Sequence, residues 1–224
     1  MAPFIISVEG NIGSGKSTFV ELLAKQIPDA IFLQEPVKEW NEVKDHTNET
    51  MLQKFYKNQT RYSFAFQMMA YISRLALLKK TVQENPNAVI ITERCLNTDR
   101  EVFAKMLFDQ GKIEEVEYQI YLKWFYDFQN DFPINRYIYL KTDSDTAHER
   151  VLKRNRRGET IERHYLKMCN IYHEEWLNHS NTCHKVTTID ANQDEVHMLQ
   201  WVKIVQSVIE KHRTTSLEKI SGEN

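Results

Sequence analysis

The sequence predicts an α/β fold with a parallel five-stranded sheet and helices on both faces. First, five short apolar runs alternate with helical patterns along the 224 residues, an order typical of strands joined by crossover helices. Second, the run at residues 88–92 is apolar at almost every position, as in strands buried on both faces. Third, six glycines and five prolines are too few for a linker, so residues 1–212 are expected to form one domain.

Each element follows from the periodicity of its apolar residues. Strands are expected in five runs: residues 4–8, 30–34, 88–92, 137–140 and 186–190. The first helix is expected to start at Lys16. The other helices are expected at residues 50–57, 60–83, 98–109, 114–129, 144–153, 163–178 and 194–212. The polar residues 213–224 are expected to form a flexible tail.

The composition argues against several classes of protein. A net charge of −2 gives no sign of a broad basic surface for nucleic acid. No apolar run approaches the roughly 20 residues of a membrane-spanning helix, and the N-terminus lacks the pattern of a signal segment. Three cysteines without metal-ligand spacing fit a reducing compartment. We therefore expect a cytoplasmic protein that binds neither nucleic acid nor membrane.

A glycine-rich loop, Gly10-Asn11-Ile12-Gly13-Ser14-Gly15-Lys16-Ser17, lies between the first strand and the first helix. This spacing in this context is typical of a phosphate-binding loop, or P-loop. The glycines let backbone N–H groups turn toward one anion, and the helix start adds its positive dipole end. The candidate nucleotide-binding residues are Gly10, Gly13, Gly15, Lys16, Ser17 and Thr18. The Ser17 hydroxyl is also a candidate Mg²⁺ ligand; the alternative is a glycine turn without a ligand.

Charged residues follow the second and third strands, at the sheet edge where ligands of parallel sheets bind. Glu35 stands opposite the phosphate loop and is the candidate general base that accepts a hydroxyl proton. The rival assignment is a carboxylate that holds a ribose, as in dinucleotide-binding folds. Glu93 is a candidate Mg²⁺ ligand and Arg94 a candidate phosphate contact, unless the two form only a salt-bridged pair at the surface.

Polar residues also lie on one face of the long predicted helix at residues 60–83. Gln67, Ala70 and Arg74 share this face because they are three and seven positions apart. The Gln67 amide can pair with a base edge, and Ala70 leaves room for that base. The alternative is that the three residues are the solvated edge of an apolar stripe.

A basic segment lies between the predicted helices at residues 144–153 and 163–178. Arg150 and Arg154 are one helical turn apart, and together with Arg156 they could fold over transferring phosphates as a lid at about residues 153–162. The alternatives are a solvated face or a nucleic-acid patch. The near-neutral total charge favours the lid.

Taken together, these motifs resemble the deoxynucleoside kinase family, in particular its deoxycytidine and deoxyguanosine kinase group. The resemblance runs from about residue 4 to residue 209 and rests on segments in the family's order: residues 7–19, Glu35-Pro36-Val37 with Trp40, residues 62–67, Glu93-Arg94 with the arginine segment, and residues 173–177. It implies a P-loop kinase fold with an arginine-rich lid, ATP as phosphate donor, Mg²⁺, and a role in nucleotide salvage. It also implies a homodimer, which we expect to pack through the helices at residues 60–83 and 114–129.

The resemblance implies a role for each candidate residue. At the reacting end, Glu35 is the base that activates the 5′-hydroxyl, while Arg94 holds that base and the phosphates. The walls of the base pocket are apolar side chains: Ile12, Val37, Trp40, Phe66 and Phe103. The sugar 3′-hydroxyl is held by Tyr56 and Glu159. The donor is held by the lid arginines and by the loop after the last strand: Arg150, Arg154, Arg156 and Asp194.

Two charged residues predict the preferred base. Thymidine-preferring members of the family resemble one another in lacking such a pair, whereas Arg74 and Asp99 are both present here beside the small Ala70. Asp99 accepts hydrogen bonds, so it favours a base that carries an amine, such as cytosine or adenine, and it repels O4 of thymine. We expect deoxycytidine and purine deoxynucleosides to be preferred over thymidine; a thymidine-preferring or broad-specificity kinase is the alternative.

Other functional classes fit the sequence less well. A non-catalytic nucleotide-binding subunit would not require Lys16, Ser17, Glu35, Arg94 and the lid arginines together. A GTPase-type switch is disfavoured because the chain has no N-K-x-D guanine motif. A nucleoside monophosphate kinase is the closest enzymatic rival, but the Glu-Pro-Val and Phe-Gln segments favour a bare nucleoside as acceptor.

Overall fold

A parallel sheet forms the centre of the molecule. The computed structural model describes residues 3–156, 159–193 and 197–221, and within these ranges five strands form one sheet. The strands are β1 (Phe4–Gly10), β2 (Ile31–Leu33), β3 (Val89–Glu93), β4 (Arg136–Lys141) and β5 (Val186–Asp190). Their order across the sheet is β2-β3-β1-β4-β5, and every neighbouring pair is parallel. The predicted parallel five-stranded sheet is confirmed.

The register of the sheet brings the ends of β1, β2 and β3 to one edge. Val8 on β1 lies beside Glu93 on β3, and Leu33 on β2 lies beside Thr92. The chain therefore leaves these three strands at neighbouring points: into the glycine loop, toward Glu35, and into Arg94. This is the edge at which parallel sheets bind their ligands.

Helices connect the strands. Their bounds are α1 (Lys16–Gln26), α2 (Val37–Trp40), α3 (Met51–Lys57), α4 (Gln59–Glu84), α5 (Leu96–Thr98), α6 (Lys105–Asp109), α7 (Glu115–Phe128), α8 (Ser144–Arg154), α9 (Arg163–Leu177) and α10 (Met198–Ser221). A π-helical turn, Asp99–Ala104, joins α5 to α6, and a short 3₁₀ turn, Cys183–Lys185, precedes β5. In the described ranges, none of these helices has both the length and the apolar character to span a bilayer.

Helices cover both faces of the sheet, as predicted. Successive residues of a strand point to opposite faces, and β1 divides its side chains in this way. Ile5 packs in a core that includes Tyr71 of α4, whereas Ile6 packs in a second core with Phe19 of α1 and Val205 of α10. All five side chains are buried, so neither face of the sheet is open to solvent.

The structure differs from the sequence-based prediction in three helical segments. The helix predicted at residues 98–109 begins at Leu96 and contains the π-helical turn, and the short helix α2 was not predicted. The last helix continues past its predicted end at residue 212 to Ser221. Residues 213–221 contain no glycine or proline, and the hydroxyls of Thr214 and Thr215 donate to carbonyls one turn earlier, so the polar composition of this segment does not end the helix.

Candidate active site

The glycine loop has the backbone conformation of an anion cradle. Gly10, Gly13 and Gly15 all have positive φ angles, at 146°, 84° and 90°, which side-chain-bearing residues rarely adopt. A Cβ on Gly13 would overlap the carbonyl oxygen of Ala147. Gly15 is the N-cap of α1, and no side chain caps the first turn of that helix. The N–H groups at the start of α1 are therefore free to bind an anion.

Lys16 lies buried within this loop. Its Nζ donates to the carbonyl oxygen of Asn11 at 2.6 Å, and its side chain is 4% exposed. Burial, together with the positive charge of Arg94, lowers the pKa of Lys16 to about 7. An anion placed in the loop would compensate both effects, so the lysine is suited to a multiply charged phosphate group.

Ser17 and Glu93 meet at the mouth of the loop. The Ser17 hydroxyl donates to Oε1 of Glu93 at 2.8 Å. Among the described residues, no group of three or more His, Cys, Asp and Glu side chains forms a metal cage. One carboxylate and one hydroxyl fit Mg²⁺, which commonly takes few protein ligands and completes its shell with water and substrate phosphate. The two predicted Mg²⁺ residues are therefore adjacent and of the right chemistry.

Glu35 lies between two arginines at the same sheet edge. Nη1 of Arg94 donates to Oε1 at 2.8 Å and to Oε2 at 3.0 Å, and Nη2 of Arg74 donates to Oε1 at 3.0 Å. Burial raises the pKa of Glu35, but the positive charges of Arg94, Arg74 and Lys16 outweigh it and lower the pKa to about 2. The carboxylate is therefore ionised at neutral pH.

Arg94 links the phosphate loop to the cavity. Its φ is +60°, a conformation that costs energy for a residue with a side chain. Its backbone N–H donates to the carbonyl oxygen of Val8 at 3.0 Å, and its guanidinium lies 5.0 Å from the ring centre of Phe103. The buried Nε has no hydrogen-bond partner among the described residues. Strain and an unpaired buried donor are typical of a ligand-binding position.

A single cavity of about 1130 Å³ runs from the glycine loop to the apolar pocket. Most of the predicted site residues line it: Ile12, Gly13, Gly15, Lys16, Ser17, Thr18, Glu35, Val37, Trp40, Tyr56, Phe66, Gln67, Ala70, Glu93, Arg94, Asp99, Phe103, Arg150, Arg154, Arg156 and Glu159. Gly10 and Arg74 are not among the residues that line it. The predicted donor-loop residue Asp194 lies outside the described residues.

The acceptor end of the cavity is a box of aromatic rings with one amide. Phe66 stacks on Phe55 at 4.6 Å between ring centres and meets Trp40 edge-on at 5.6 Å. The Trp40 indole N–H donates to Ser73 Oγ at 2.8 Å, which fixes the ring. Within the described part of the chain, no side chain or backbone group is hydrogen-bonded to the Gln67 amide, although the residue is buried. A flat polar ligand fits such a pocket, where the Gln67 amide can form hydrogen bonds with polar atoms at the ligand's edge.

The three predicted lid arginines make two kinds of contact. Arg154 and Arg156 form ion pairs with Glu159. Arg150 instead donates to the carbonyl oxygens of Ala191 at 2.8 Å and Gln193 at 3.1 Å, so its guanidinium braces the loop after β5. The three arginines line the same cavity, but their charges are engaged by different partners.

The comparisons with known proteins agree with this geometry. The model of the deoxynucleoside kinase family matches residues 6–213. This chain belongs to the deoxynucleoside kinase family. It is 34% identical to a fowlpox virus protein designated "probable deoxycytidine kinase", over 84% of this chain and 78% of that protein. It is 34% identical to chicken deoxycytidine kinase 2, with coverage of 77% and 73%, and 31% identical to mitochondrial deoxyguanosine kinase of Xenopus laevis, with coverage of 79% and 74%.

Membership of the deoxynucleoside kinase family makes the protein a kinase that transfers a phosphoryl group from a nucleotide donor to a nucleoside. The continuous cavity described above suits that reaction because it holds a glycine-loop cradle at one end and an aromatic pocket at the other. The family resemblance, the α/β fold and the enzyme class predicted from the sequence are all confirmed.

Sequence reasoning missed several cavity residues of this kinase. Leu52, Phe55 and Tyr165 line the pocket but were not among the candidates. Leu52 and Phe55 lie on α3, three positions apart and on the same face, so their spacing was visible. Their position beside Phe66 was not visible, because it depends on the packing of α3 against α4. The contact of Arg74 with Glu35 was missed for the same reason.

Proposed function

We propose that the protein phosphorylates the 5′-hydroxyl of deoxynucleosides with ATP and Mg²⁺, in nucleotide salvage. The observation that carries the proposal is the position of Glu35 at the junction of the two halves of the cavity. It bonds Arg94, which also reaches the carbonyl oxygen of Gly10 in the phosphate loop at 3.4 Å. Phosphoryl transfer requires mainly alignment and charge neutralisation, and this junction offers both.

In the proposed reaction, Glu35 accepts the proton of the 5′-hydroxyl as that oxygen attacks the terminal phosphorus. Glu35 is ionised at neutral pH, as an acceptor must be. Its low pKa makes it a weak base, which suffices because the attacking oxygen loses its proton late in a loose transition state. Arg94 and Lys16 face the transferring group and neutralise its charge. Bound Mg²⁺ supplies further charge neutralisation of the phosphates; Ser17 and Glu93 are the residues proposed to hold it.

The sugar is proposed to be held from the opposite side by Tyr56 and Glu159. Burial raises the pKa of the Tyr56 phenol, which therefore stays protonated and remains a hydrogen-bond donor at neutral pH. Glu159 supplies acceptor oxygens at the edge of the lid. A 3′-hydroxyl can donate to one of these groups and accept from the other.

The proposed base preference follows from Gln67 and Asp99. The Gln67 amide offers a donor and an acceptor side by side. Asp99 is buried, lines the same cavity and accepts a hydrogen bond from Nε of Arg74 at 2.9 Å, so the pocket wall carries a charged acceptor. We propose that deoxycytidine and purine deoxynucleosides are better substrates than thymidine, since a base amine can donate to this acceptor.

The proposal is tested by steady-state phosphorylation of all four deoxynucleosides with ATP and Mg²⁺. We expect the highest kcat/KM values for deoxycytidine and the purine deoxynucleosides. Omission of Mg²⁺ should remove turnover in every case. Thymidine as clearly the best substrate would contradict the base preference, and failure to phosphorylate any of the four would contradict the function.

Replacement of the proposed base tests the mechanism. Glu35→Gln keeps the shape of the side chain but removes the proton acceptor, so kcat should fall about 10²–10⁴-fold with a much smaller change in nucleoside binding. Glu39→Gln is the matched control, because Glu39 borders the same cavity but is exposed and bonds neither arginine. Near-normal turnover of Glu35→Gln would remove Glu35 from this role.

We also propose that the protein forms a homodimer through α4 and α7. Val116, Ile120 and Trp124 are four positions apart on α7, and all three are exposed. Ile72 is exposed on the neighbouring α4, which contacts α7 through a hydrogen bond from Tyr71 to the Trp124 carbonyl at 3.0 Å. Exposed apolar side chains on two adjacent helices fit a second copy of the same chain.

A further inference from the structure

Arg74 is anchored on three sides by residues that line the cavity. Its side chain is 4% exposed. Nε donates to Oδ2 of Asp99 at 2.9 Å, Nη1 donates to the carbonyl oxygen of Glu93 at 2.8 Å, and Nη2 donates to Oε1 of Glu35 at 3.0 Å. Every nitrogen of the guanidinium therefore has a partner, and each partner lies on a different segment of the chain.

Two of these contacts fix the position of the third. The guanidinium is planar and rigid, so bonds from Nε to Asp99 and from Nη1 to the Glu93 carbonyl define where Nη2 lies. Glu35 stands in the short segment between β2 and α2, with no regular structure of its own. The location of its carboxylate therefore depends on the groups that bond it.

Arg94 and Arg74 make different hydrogen bonds to the two carboxylate oxygens of Glu35. Arg94 contacts both oxygens through one nitrogen, Nη1, which leaves the carboxylate free to turn about that atom. Arg74 contacts Oε1 alone. Because Oε1 accepts from both arginines and Oε2 from one, the added bond fixes the plane of the carboxylate and keeps acceptor capacity on Oε2.

We propose that Arg74 is a positioning residue for Glu35, which orients the carboxylate so that Oε2 takes up the hydroxyl proton, and which connects that carboxylate to Asp99 in the nucleobase pocket. The inference rests on the proposed function, in which Glu35 is the base. It assigns Arg74 a role beyond base selection. A nucleobase that bonds Asp99 alters the hydrogen bond between Asp99 and Arg74. Arg74 then shifts the Glu35 carboxylate, which accepts the proton.

A role limited to base selection has different consequences. In that case the loss of Arg74 would weaken binding of some nucleosides, and it would do so whether or not Glu35 were present. A positioning residue acts through Glu35, so its effect disappears once Glu35 is replaced. The two roles are therefore separated by a double-mutant cycle on kcat.

The experiment measures kcat at saturating deoxycytidine and at saturating deoxyadenosine for the wild type, Arg74→Lys, Glu35→Gln and the double variant. Lysine keeps the charge but lacks the rigid fork, so it cannot hold Asp99 and Glu35 in one geometry. We expect Arg74→Lys to lower kcat about 10–100-fold with both nucleosides. In the Glu35→Gln background, the same change should alter kcat by less than about twofold.

The matched control is Lys80→Gln, an exposed position on the same helix, which should leave kcat and the melting temperature unchanged. If Arg74→Lys fails to fold, the Arg74→Gln/Asp99→Asn variant is compared with Asp99→Asn alone, because removal of both partners leaves no unpaired charge between them. The cycle is then measured with and without Glu35→Gln.

Each result decides between the two roles. Equal losses in both Glu35 backgrounds, or no loss in kcat with a rise in nucleoside KM alone, would overturn the positioning role while the proposed function stands. Near-normal turnover of Glu35→Gln would overturn the base assignment, and with it the role of Arg74. A loss that appears only when Glu35 is present would support the inference.

Discussion

Lys16 shows how a single buried side chain prepares a phosphate site. The loop removes the ammonium from water before any phosphate arrives, and Arg94 adds a repulsive charge. Both effects destabilise the charged form and lower the pKa to about 7. Binding of a phosphate anion relieves both. The free-energy cost of keeping Lys16 charged in the free protein therefore falls when the donor binds.

This pKa makes donor binding depend on pH. Because the pKa of Lys16 in the free protein is about 7, the lysine loses its proton as the pH rises above that value, and the charged form that binds phosphate becomes scarce. We expect the Kd of a non-hydrolysable triphosphate to rise from about pH 7 to pH 9, by up to about tenfold per pH unit, with uptake of a proton on binding.

Calorimetric titration in buffers of different ionisation enthalpy measures both the Kd and the proton uptake. Lys16→Met removes the titrating group, so its weaker binding should not vary with pH over this range. A wild-type Kd that is constant between about pH 7 and pH 9 would contradict the lowered pKa.

A comparison of Gly13 with Gly111 separates two effects of an added side chain: backbone strain and a steric clash in the glycine loop. Both have positive φ angles, 84° and 67°. A Cβ on Gly13 would overlap the Ala147 carbonyl oxygen, whereas a Cβ on Gly111 would meet nothing within 4 Å. Gly111→Ala should cost about 1–2 kcal/mol of unfolding free energy and leave donor binding unchanged.

Gly13→Ala should cost more than Gly111→Ala and also weaken donor binding, because the loop must move away from α8 to accommodate the methyl group. Denaturant unfolding and the Kd of the triphosphate measure the two effects. The explanation is wrong if both alanine variants bind the donor as the wild type does.

At the scale of elements, two arginines of the proposed lid at the end of α8 already form ion pairs. Arg154 and Arg156 both bond Glu159, the residue proposed to hold the sugar. A donor and an acceptor that engage these groups would have to separate them. The arginine side chains are about one-third exposed, whereas that of Glu159 is 5% exposed, so solvent weakens these ion pairs mainly from the arginine side.

We therefore expect Arg154→Gln/Arg156→Gln to slow phosphoryl transfer with little change in melting temperature. Loss of two guanidinium groups near the transferring phosphate should lower kcat about 10²-fold or more. Arg163→Gln, which breaks an exposed ion pair with Asp145 outside the cavity, is the control and should change neither quantity. A collapse of the melting temperature would show instead that the lid arginines are structural.

The π-helical turn at Asp99–Ala104 is the second element that serves the site. Its hydrogen bonds run from residue i to residue i+5. Asp99 and Phe103, four positions apart in this turn, both line the cavity. Such turns are common at functional sites because they widen one helical turn. Here the turn holds the anchor of Arg74 at one end and the ring beneath Arg94 at the other.

At the scale of the whole molecule, the exposed stripe on α7 determines the expected assembly. Ile120 lies in the middle of the stripe and is 42% exposed. Ile120→Glu places a charge on the proposed interface, so light scattering should find a monomer where the wild type is a dimer. Leu199→Glu, which replaces an exposed leucine on α10, is the control and should not change the mass.

The same measurement on the wild type decides whether the stripe forms an interface at all. A wild type that is monomeric at micromolar concentration, or an Ile120→Glu variant with the mass of a dimer, would contradict this face as the interface. The catalytic cavity lies at the carboxyl ends of β1, β2 and β3, so the monomeric variant should remain folded and measurable.

Much of the fold could be read from local patterns. The five apolar runs and the helices between them follow from periodicity over short windows, and the parallel sheet follows from their alternation. The short helix α2, the π-helical turn and the end of α10 were not predicted, because each depends on a shift of a few backbone hydrogen bonds rather than on a change in apolar period.

In the candidate site, too, contacts within one motif were predictable and contacts between distant segments were less so. Lys16, Ser17 and the glycines lie in one continuous motif, so their spacing alone indicated phosphate binding. Glu35 and Arg94 were brought together correctly by the rule that strands of a parallel sheet end at one edge. Arg74 was assigned to the base alone, since nothing in its helix indicates a contact with a residue 39 positions away.

The sequence by itself determined the class of this protein: a parallel α/β kinase of the deoxynucleoside kinase family with a phosphate loop at its first strand. Periodicity and contiguous motifs carry that information because they are local properties of the chain. Only the tertiary structure decided which charges share a carboxylate: Arg74 and Arg94 both bond Glu35, and Arg154 and Arg156 both bond Glu159. Those pairings depend on how the strand ends, α4 and the lid pack together, and electrostatic interactions depend on distance in space rather than along the chain.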